Sequence, residues 1–512
     1  MTEANLPPLI QAMLCPEFYP HPVDEPIELI QTHVSYVLLT GQYAYKIKKA
    51  VNFGFLDFST LEKRQHFCHE EIRLNQRGAG PIYIEVQPIS QSHNQFSLND
   101  ASAPVEYALK MHQFREEDLF ISLFEQGKLT EELMIRLGKF VAEFHQSSPT
   151  NDYILSFGEV AQVRQAFDEN YQQTEAYIGK VQTDRQFQDT KAYTDDFFTN
   201  RAALFKERIQ RKLIKECHGD LHLRNIAFLK RQIILFDCIE FNEPFRFVDV
   251  MYDIAFAVMD LDARSHSDLG NVFLNTYVEQ TGDWEGLQLL PLYLSRQAYV
   301  RAKVTSFLLD DPNIDEEGKR QASRVAANYY YLAWQYTQTP PVGKLIMVTG
   351  LSGSGKSTVS RYIAKQTKAI HIRSDAVRKH LAGIPVDQRG TAEIYAPEMS
   401  KKTYDRLLEL GLLLAQQGFT VILDAKYDRL ATRQQAIAAA EAANIPLHIY
   451  HCTAPAPILR ERLTNRNNDI ADATADLVTA QLANLEPFTA TEAHWVTTID
   501  TTKDWKETLN LF

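Results

Sequence analysis

Two stretches of this sequence combine residue types whose spacing suits phosphoryl chemistry. The first is Gly350-Leu-Ser-Gly-Ser-Gly-Lys-Ser-Thr358, which follows the apolar run 345–349 and opens a helical pattern. Strand, glycine-rich turn and helix in that order make G-x-x-x-x-G-K-[ST] a phosphate-binding loop. Gly350, Gly353 and Gly355, with Ser352 and Ser354 between them, let backbone N–H groups close on phosphate oxygens. The helix N-terminus adds partial positive charge. Lys356 is placed to reach the β/γ-phosphates, and Ser357, followed by Thr358, to hold Mg²⁺. ATP and Mg²⁺ are the expected cofactors, although the motif does not separate ATP from GTP.

The second stretch is His218-Gly-Asp-Leu-His-Leu-Arg-Asn225, followed by Ile233-Ile-Leu-Phe-Asp-Cys-Ile-Glu240. Transfer from Mg·ATP to a hydroxyl needs a carboxylate to accept the proton, an oxygen ligand for the metal and a second carboxylate on it. Asp220, Asn225 and Asp237 supply that set. Other residues nearby read more plainly. Glu240 is a third metal acid or a salt-bridge partner, and His222 and His371 lack a companion at metal-ligand spacing.

The elements that must position these groups fall into two patterns. Residues 28–49 and the runs 81–86 and 105–111 read as strands, with a helix from Ser59 and Thr60 through Arg77. In 43–48, Tyr43, Tyr45 and Ile47 share one face, and Ala44, Lys46 and Lys48 the other. Segments 117–126, 130–147, 160–180 and 191–214 have helical periodicity, an island at 217–241 is β-like, and helices resume over 249–337. That order is α+β. Thr339-Pro-Pro341 marks a boundary, after which strands at 344–349, 369–374, 419–424, 446–452 and 495–500 alternate with helices as in a doubly wound parallel α/β sheet. The expected domains are 1–338, with a small lobe over about 25–112 and a helical lobe over about 113–338, and 342–512.

Composition narrows the classes. At 512 residues, with 45% hydrophobic and 23% charged residues, the chain suits a soluble protein of two or three domains. No apolar run reaches the ~18 residues of a membrane span, and residues 1–8 lack signal-peptide character. Five scattered cysteines without C-x-x-C spacing point to a reducing cytoplasm. A net charge of −12 argues against nucleic-acid and anionic-membrane partners.

Residues 218–225 resemble the H-G-D-x-x-x-x-N loop of aminoglycoside and choline phosphotransferases, relatives of the protein kinases, over roughly residues 30–260. The resemblance implies that Asp220 is the catalytic base, Asn225 and Asp237 hold metal, and Asp253 supports the loop. Ala44-Tyr-Lys46 resembles the A-x-K of the third kinase strand. Lys46 would then be the phosphate lysine and Glu71 its helical partner, with Lys48 and Glu70 as the alternatives one register away. Met111 would lie at the hinge beside adenine. A G-x-G-x-x-G loop is missing between the first strands, where only Gly41 stands. A fold of this type can also lose catalysis and persist as a scaffold.

In the second pattern, Ser374-Asp-Ala-Val-Arg378 resembles the S-D-x-x-R element of P-loop kinases. This implies Asp375 as base for the acceptor hydroxyl and Arg378 as an acceptor or phosphate clamp, against an N-cap aspartate with a surface arginine. Asp424 closes a strand as a metal-site or acceptor-site acid, and Arg429 and Arg433 follow as a solvated face. Arg462 and Arg466 precede a segment that resembles a kinase lid; they close over phosphates or pair on an exposed helix. The whole chain is similar to bacterial proteins joining an aminoglycoside-phosphotransferase-like domain to a P-loop ATPase. Three functions stay open: a double phosphotransferase for small-molecule hydroxyls, a nucleotide sensor with one silent domain, and a nucleic-acid end kinase. The sequence pI of about 5.7 counts against the last.

Overall fold

The computed structural model describes residues 6–93, 95–338, 342–465 and 470–509. The proline boundary at 339–341 and Arg466 lie outside the described residues. The chain divides into two compact units, neither of them contiguous. One holds residues 1–129, 147–162 and 205–257; the other holds 130–146, 163–204 and 258–512.

The first unit is built on a six-stranded antiparallel sheet. Its strands are β1 (Glu28–Gln31), β2 (Ser35–Leu39), β3 (Tyr43–Lys48), β4 (Tyr83–Ser92), β5 (Gln95–Leu98) and β6 (Pro104–His112), in the order β1-β2-β3-β6-β4-β5. Strand alternation puts Tyr45 and Ile47 into an apolar cluster with Ile10, Met13, Leu38 and Ile89, while Lys46 and Lys48 point to the other face. There the helix Leu61–Ala79, N-capped by Thr60, crosses the sheet with Glu71 and Leu74 fully buried. Beyond the sheet, the hairpin β8 (Ile226–Leu229) and β9 (Gln232–Leu235) frames the 218–225 loop, and β7 (Ile214–Glu216) pairs with β10 (Phe247–Asp249). Most of the island read as β-like is therefore loop, held by two short antiparallel pairs.

The second unit combines a helical bundle with a five-stranded parallel sheet. The strands are β11 (Lys344–Thr349), β12 (Ile370–Arg373), β13 (Thr420–Asp424), β14 (Leu447–Thr453) and β15 (Val496–Asp500), ordered β12-β13-β11-β14-β15. The order reverses beside β11, so the carboxyl ends of β11 and β13 border the crevice where ligands bind in open α/β sheets. Both faces of β11 are buried, which explains its uninterrupted apolar run. The segment read as one helix over 191–214 is two, Asp184–Asn200 and Ala202–Gln210, separated at Arg201. Among the described residues no helix is long and apolar enough to cross a membrane.

Candidate active sites

In the first unit, strand, helix and loop bring five charged side chains into one line. Lys46 Nζ lies 2.7 Å from Glu71 Oε1 and 2.8 Å from Asp237 Oδ1. Lys48 Nζ lies 2.6 Å from the other oxygen of Glu71, Oε2, and also pairs with Glu240. Both lysines of β3 therefore meet the same glutamate, while Glu70 turns outward to Arg73 at 2.9 Å. Burial pulls the Lys46 ammonium down, but Asp237, Glu71 and Glu240 outweigh it and hold it well above its ordinary value. Glu71 is opposed by burial and held low by the two lysines. Both stay charged at neutral pH.

Asp220 and Asn225 meet through local geometry. Asn225 Nδ2 donates to the Asp220 carbonyl at 3.0 Å and to its Oδ2 at 3.1 Å, which leaves Asn225 Oδ1 for a cation. The buried carboxylate of Asp253 accepts from the backbone N–H of Gly219 at 2.7 Å and of His218 at 3.2 Å, pinning the loop. His218 donates from Nε2 to the Phe236 carbonyl at 2.9 Å and accepts the Asp220 N–H at Nδ1, 3.3 Å away. Those roles require the neutral ring, and burial lowers its pKa in the same direction. His222 Nε2 stands 3.4 Å from Asp220 Oδ2. Asp237 adopts a left-handed φ of 62°, which turns it off the end of β9 toward Lys46. Met111 sits on β6 opposite Ala44, packed with Leu109 and Tyr83.

The turn that would cover phosphates in this unit is short. Gly41 has φ 92°, its N–H bonds Gln113 Oε1 at 2.8 Å, and a Cβ there would meet the Asp24 carboxylate at 2.2 Å. The β2–β3 turn is thus held in place.

In the second unit, the loop after β11 opens a cleft of about 1130 Å³. Ser352, Gly353, Gly355, Lys356, Ser357, Thr358, Asp375, Arg378, Asp424 and Arg462 all line it. At Gly350, φ is 135° and a Cβ would lie 2.3 Å from the Cys452 carbonyl, so only glycine fits. Among the described residues, the backbone N–H groups of Gly353, Gly355, Lys356 and Ser357 donate to no loop or turn carbonyl, and the buried Ser354 Oγ has no partner. A cradle of open donors at the start of a helix fits a polyphosphate. Lys356 Nζ rests on the Leu351 carbonyl at 2.9 Å, with its pKa lowered by burial. Gln481 clamps Ser352 through backbone and hydroxyl at 3.0 and 3.1 Å.

Asp424, on β13, accepts from His371 Nε2 at 3.0 Å. Burial raises its pKa, but that bond and the charges of His371, Lys356 and Arg373 bring it to about 2. It is an ionised carboxylate with one oxygen committed to His371, which fits a metal site's outer or inner acid. His371 is buried and locally bonded, through Asp424. Asp375 goes the other way: burial raises its pKa above its ordinary value despite Arg373, Arg378 and Lys356. Arg378 is 8% exposed rather than a surface arginine; its Nη1 donates to the Ile394 carbonyl at 2.9 Å and Ser400 Oγ at 3.2 Å. Arg462 is turned onto the Gly353 carbonyl at 3.3 Å and onto Thr501 Oγ1 at 2.8 Å, bracing the loop. Arg433 overturns the solvated-face reading: it is fully buried, 2.7 Å from Glu492, and spends its other donors on three carbonyls. Nothing local in the sequence marks Gln481, Thr501 or Glu492 as partners.

One unit thus sets two lysines, a glutamate and the loop acids on an antiparallel sheet, and the other sets a glycine-rich loop and two acids at the carboxyl ends of a parallel sheet. Residues 345–488 match the family described as an AAA domain. The chain belongs to the same family as an uncharacterized protein of Mycobacterium tuberculosis, to which it is 30% identical over 469 residues, covering 90% of this chain and 91% of that one. An uncharacterized protein of Mycobacterium bovis matches to the same extent. Among solved structures, a choline/ethanolamine kinase family protein of Mesorhizobium loti aligns with 64% of this chain and all of its own, at 9% identity and TM-score 0.38. A gluconokinase of Sinorhizobium meliloti aligns with 33% of this chain and 88% of its own, at 21% identity and TM-score 0.25.

Proposed function

We propose that this chain is an ATP- and Mg²⁺-dependent phosphotransferase with two separate nucleotide sites, each acting on a hydroxyl of a small-molecule acceptor. The observation that carries the reading is that each site gathers a lysine and an acid from separate chain segments onto one point. In the first unit these are Lys46 and Asp237 beside the Asp220–Asn225 loop. In the second they are Lys356, Ser357, Asp375 and Asp424 around one cleft. Bound Mg²⁺ would neutralise phosphate charge, held through Asn225 and Asp237 in one site and Ser357 with Asp424 in the other.

The chain's own residues do the rest. Lys46 and Lys356 orient phosphate oxygens, and the open loop N–H groups fix the polyphosphate. Asp220 and Asp375 take the proton from the acceptor hydroxyl as it attacks, and burial, which raises the pKa of Asp375, makes it a stronger base than an exposed aspartate. Arg378 clamps acceptor or phosphate, and Arg462, released from Thr501, or Arg466 closes over the phosphates. The acidic chain, with net charge −12, suits a cytoplasmic enzyme that avoids nucleic acid.

The test is phosphate transfer from Mg·ATP into a metabolite extract, read by mass spectrometry. Asp220→Ala and Asp375→Ala should each abolish a different product, by roughly 10²–10⁴-fold. Wild-type protein with no transfer, or variants that leave all products intact, would sink the reading. The pinned Gly41 turn favours a second reading, in which the first unit binds nucleotide without transferring phosphate. Transfer lost wholly in Asp375→Ala and untouched by Asp220→Ala would select it.

A further inference from the structure

The first unit contains one more charged pair than phosphate binding needs. Lys46 faces Asp237 on one side and Glu71 on the other. Glu71 has no exposure, so it must keep a cation whenever it is ionised. When phosphates draw Lys46 away from Glu71, that duty would fall to no one if β3 carried a single lysine. Lys48 fills the gap: it is 1% exposed in its side chain and 2.6 Å from Glu71 Oε2. Its own charge is balanced by Glu240, three residues after Asp237 and 6% exposed in its side chain. Phe58 closes the pair from above, its ring centroid 4.7 Å from Lys48 Nζ.

We infer that Lys48 and Glu240 are positioning residues that hold Glu71, and with it the helix Leu61–Ala79, in the phosphate-ready place whether or not Lys46 is engaged. The pair ties three chain segments at one point: β3 through Lys48, the helix through Glu71, and the Asp237 segment through Glu240. Lys46 then swings between Glu71, Asp237 and phosphate without the helix following. The inference deepens the reading of the first unit as a nucleotide site and rests on it for the catalytic consequence. The positional consequence stands on the free protein alone.

The experiment uses the full chain carrying Lys356→Ala, so that the P-loop site is silent. Lys48→Met alone strands the buried Glu240, leaves Glu71 to Lys46 only, and can fail to fold, so the decisive variant is Lys48→Met with Glu240→Met. A matched apolar pair replaces a buried ion pair with little loss of stability. The expected result is a Tm at or above the parent's, amide hydrogen exchange in residues 66–74 at least tenfold faster, and kcat at least tenfold lower with a smaller change in the KM for Mg·ATP. Unchanged exchange in 66–74 would overturn the inference, as would an unchanged kcat in an active parent. If the parent neither binds nor turns over Mg·ATP at this site, the proposed function of the unit falls, and the exchange result still decides whether Lys48 and Glu240 position the helix.

Discussion

Asp375 is a carboxylate whose burial works against its charge. Burial raises its pKa, with Arg373 next in size and opposing. A raised carboxylate is protonated more readily folded than unfolded. Its contribution to stability is therefore full below the ordinary carboxylate pKa and lost as pH rises through the raised value. Asp375→Asn should raise Tm at pH 8, show little gain at pH 4, and still cut transfer at the P-loop site by roughly 10²–10⁴-fold. Thermal melts at the two pH values beside a transfer assay check all three; a lower Tm at pH 8 would show that the charge is structural. Arg433 makes the opposite case. Its helical spacing reads as a solvated face, because nothing within a few residues reveals Glu492 as its partner. Arg433→Met leaves Glu492 buried and unpaired, at a cost of about 3–5 kcal/mol. Adding Glu492→Leu should restore most of it, as urea unfolding would read. The contact of Asn225 with Asp220 lies within reach of the sequence for the reverse reason, because it closes within one short loop.

Elements were legible where the pattern repeats. The parallel strands stand out as apolar runs between helices, and β3 declares its two faces by alternation. The strands β7 and β10 have three residues each, too short to show a period, and exist through pairing with each other across some thirty residues. The least legible element contact is on the edge of the parallel sheet. The helix Ser267–Thr281 carries Asn271, Asn275 and Glu279 at four-residue spacing, which reads as an ordinary polar face. In the fold those residues act as a neighbouring strand would. Asn271 and Asn275 both donate to the Ala369 carbonyl at 3.0 Å, and Asn275 Oδ1 accepts the His371 N–H at 2.7 Å. The ladder covers an edge that would otherwise pair with other chains. It also fixes the backbone of His371, whose ring holds Asp424. Asn275→Leu leaves the His371 N–H without its acceptor, at a cost of about 1–3 kcal/mol. Exchange of that amide should quicken at least tenfold, and apparent Mg²⁺ affinity at the P-loop site should fall with it. An unchanged amide rate would show that Asn275 is dispensable.

At the scale of the molecule, the sequence marks a boundary at its prolines, yet compactness groups the bundle helices with the parallel sheet. The grouping has a physical basis within that unit. Besides the asparagine ladder, His380 Nε2 meets the Glu279 carbonyl at 2.8 Å and stacks edge-on to Trp284 with ring centroids 5.5 Å apart. Arg373 lies 3.8 Å from Glu279, and Arg406 pairs with Glu285. Residues 342–512 alone contain the whole glycine-rich loop, Asp375 and Asp424, so a fragment of that span keeps every residue named for the proposed P-loop site and lacks the bundle helices beside it. It would lose the cover of β12, with an exposed carbonyl at Ala369, an exposed N–H at His371 and a bare His380. A loss of several kcal/mol lowers Tm by about 2–4 °C for each in a unit of this size, so the fragment should melt at least ~5 °C below a fragment spanning 258–512. Saturating Mg·ATP at a hundred times Kd returns only about 2.7 kcal/mol, and so should narrow the difference between the fragments without closing it. Equal melting temperatures would mean that the parallel sheet folds without the helices and that the prolines, not the compact unit, mark where this chain divides.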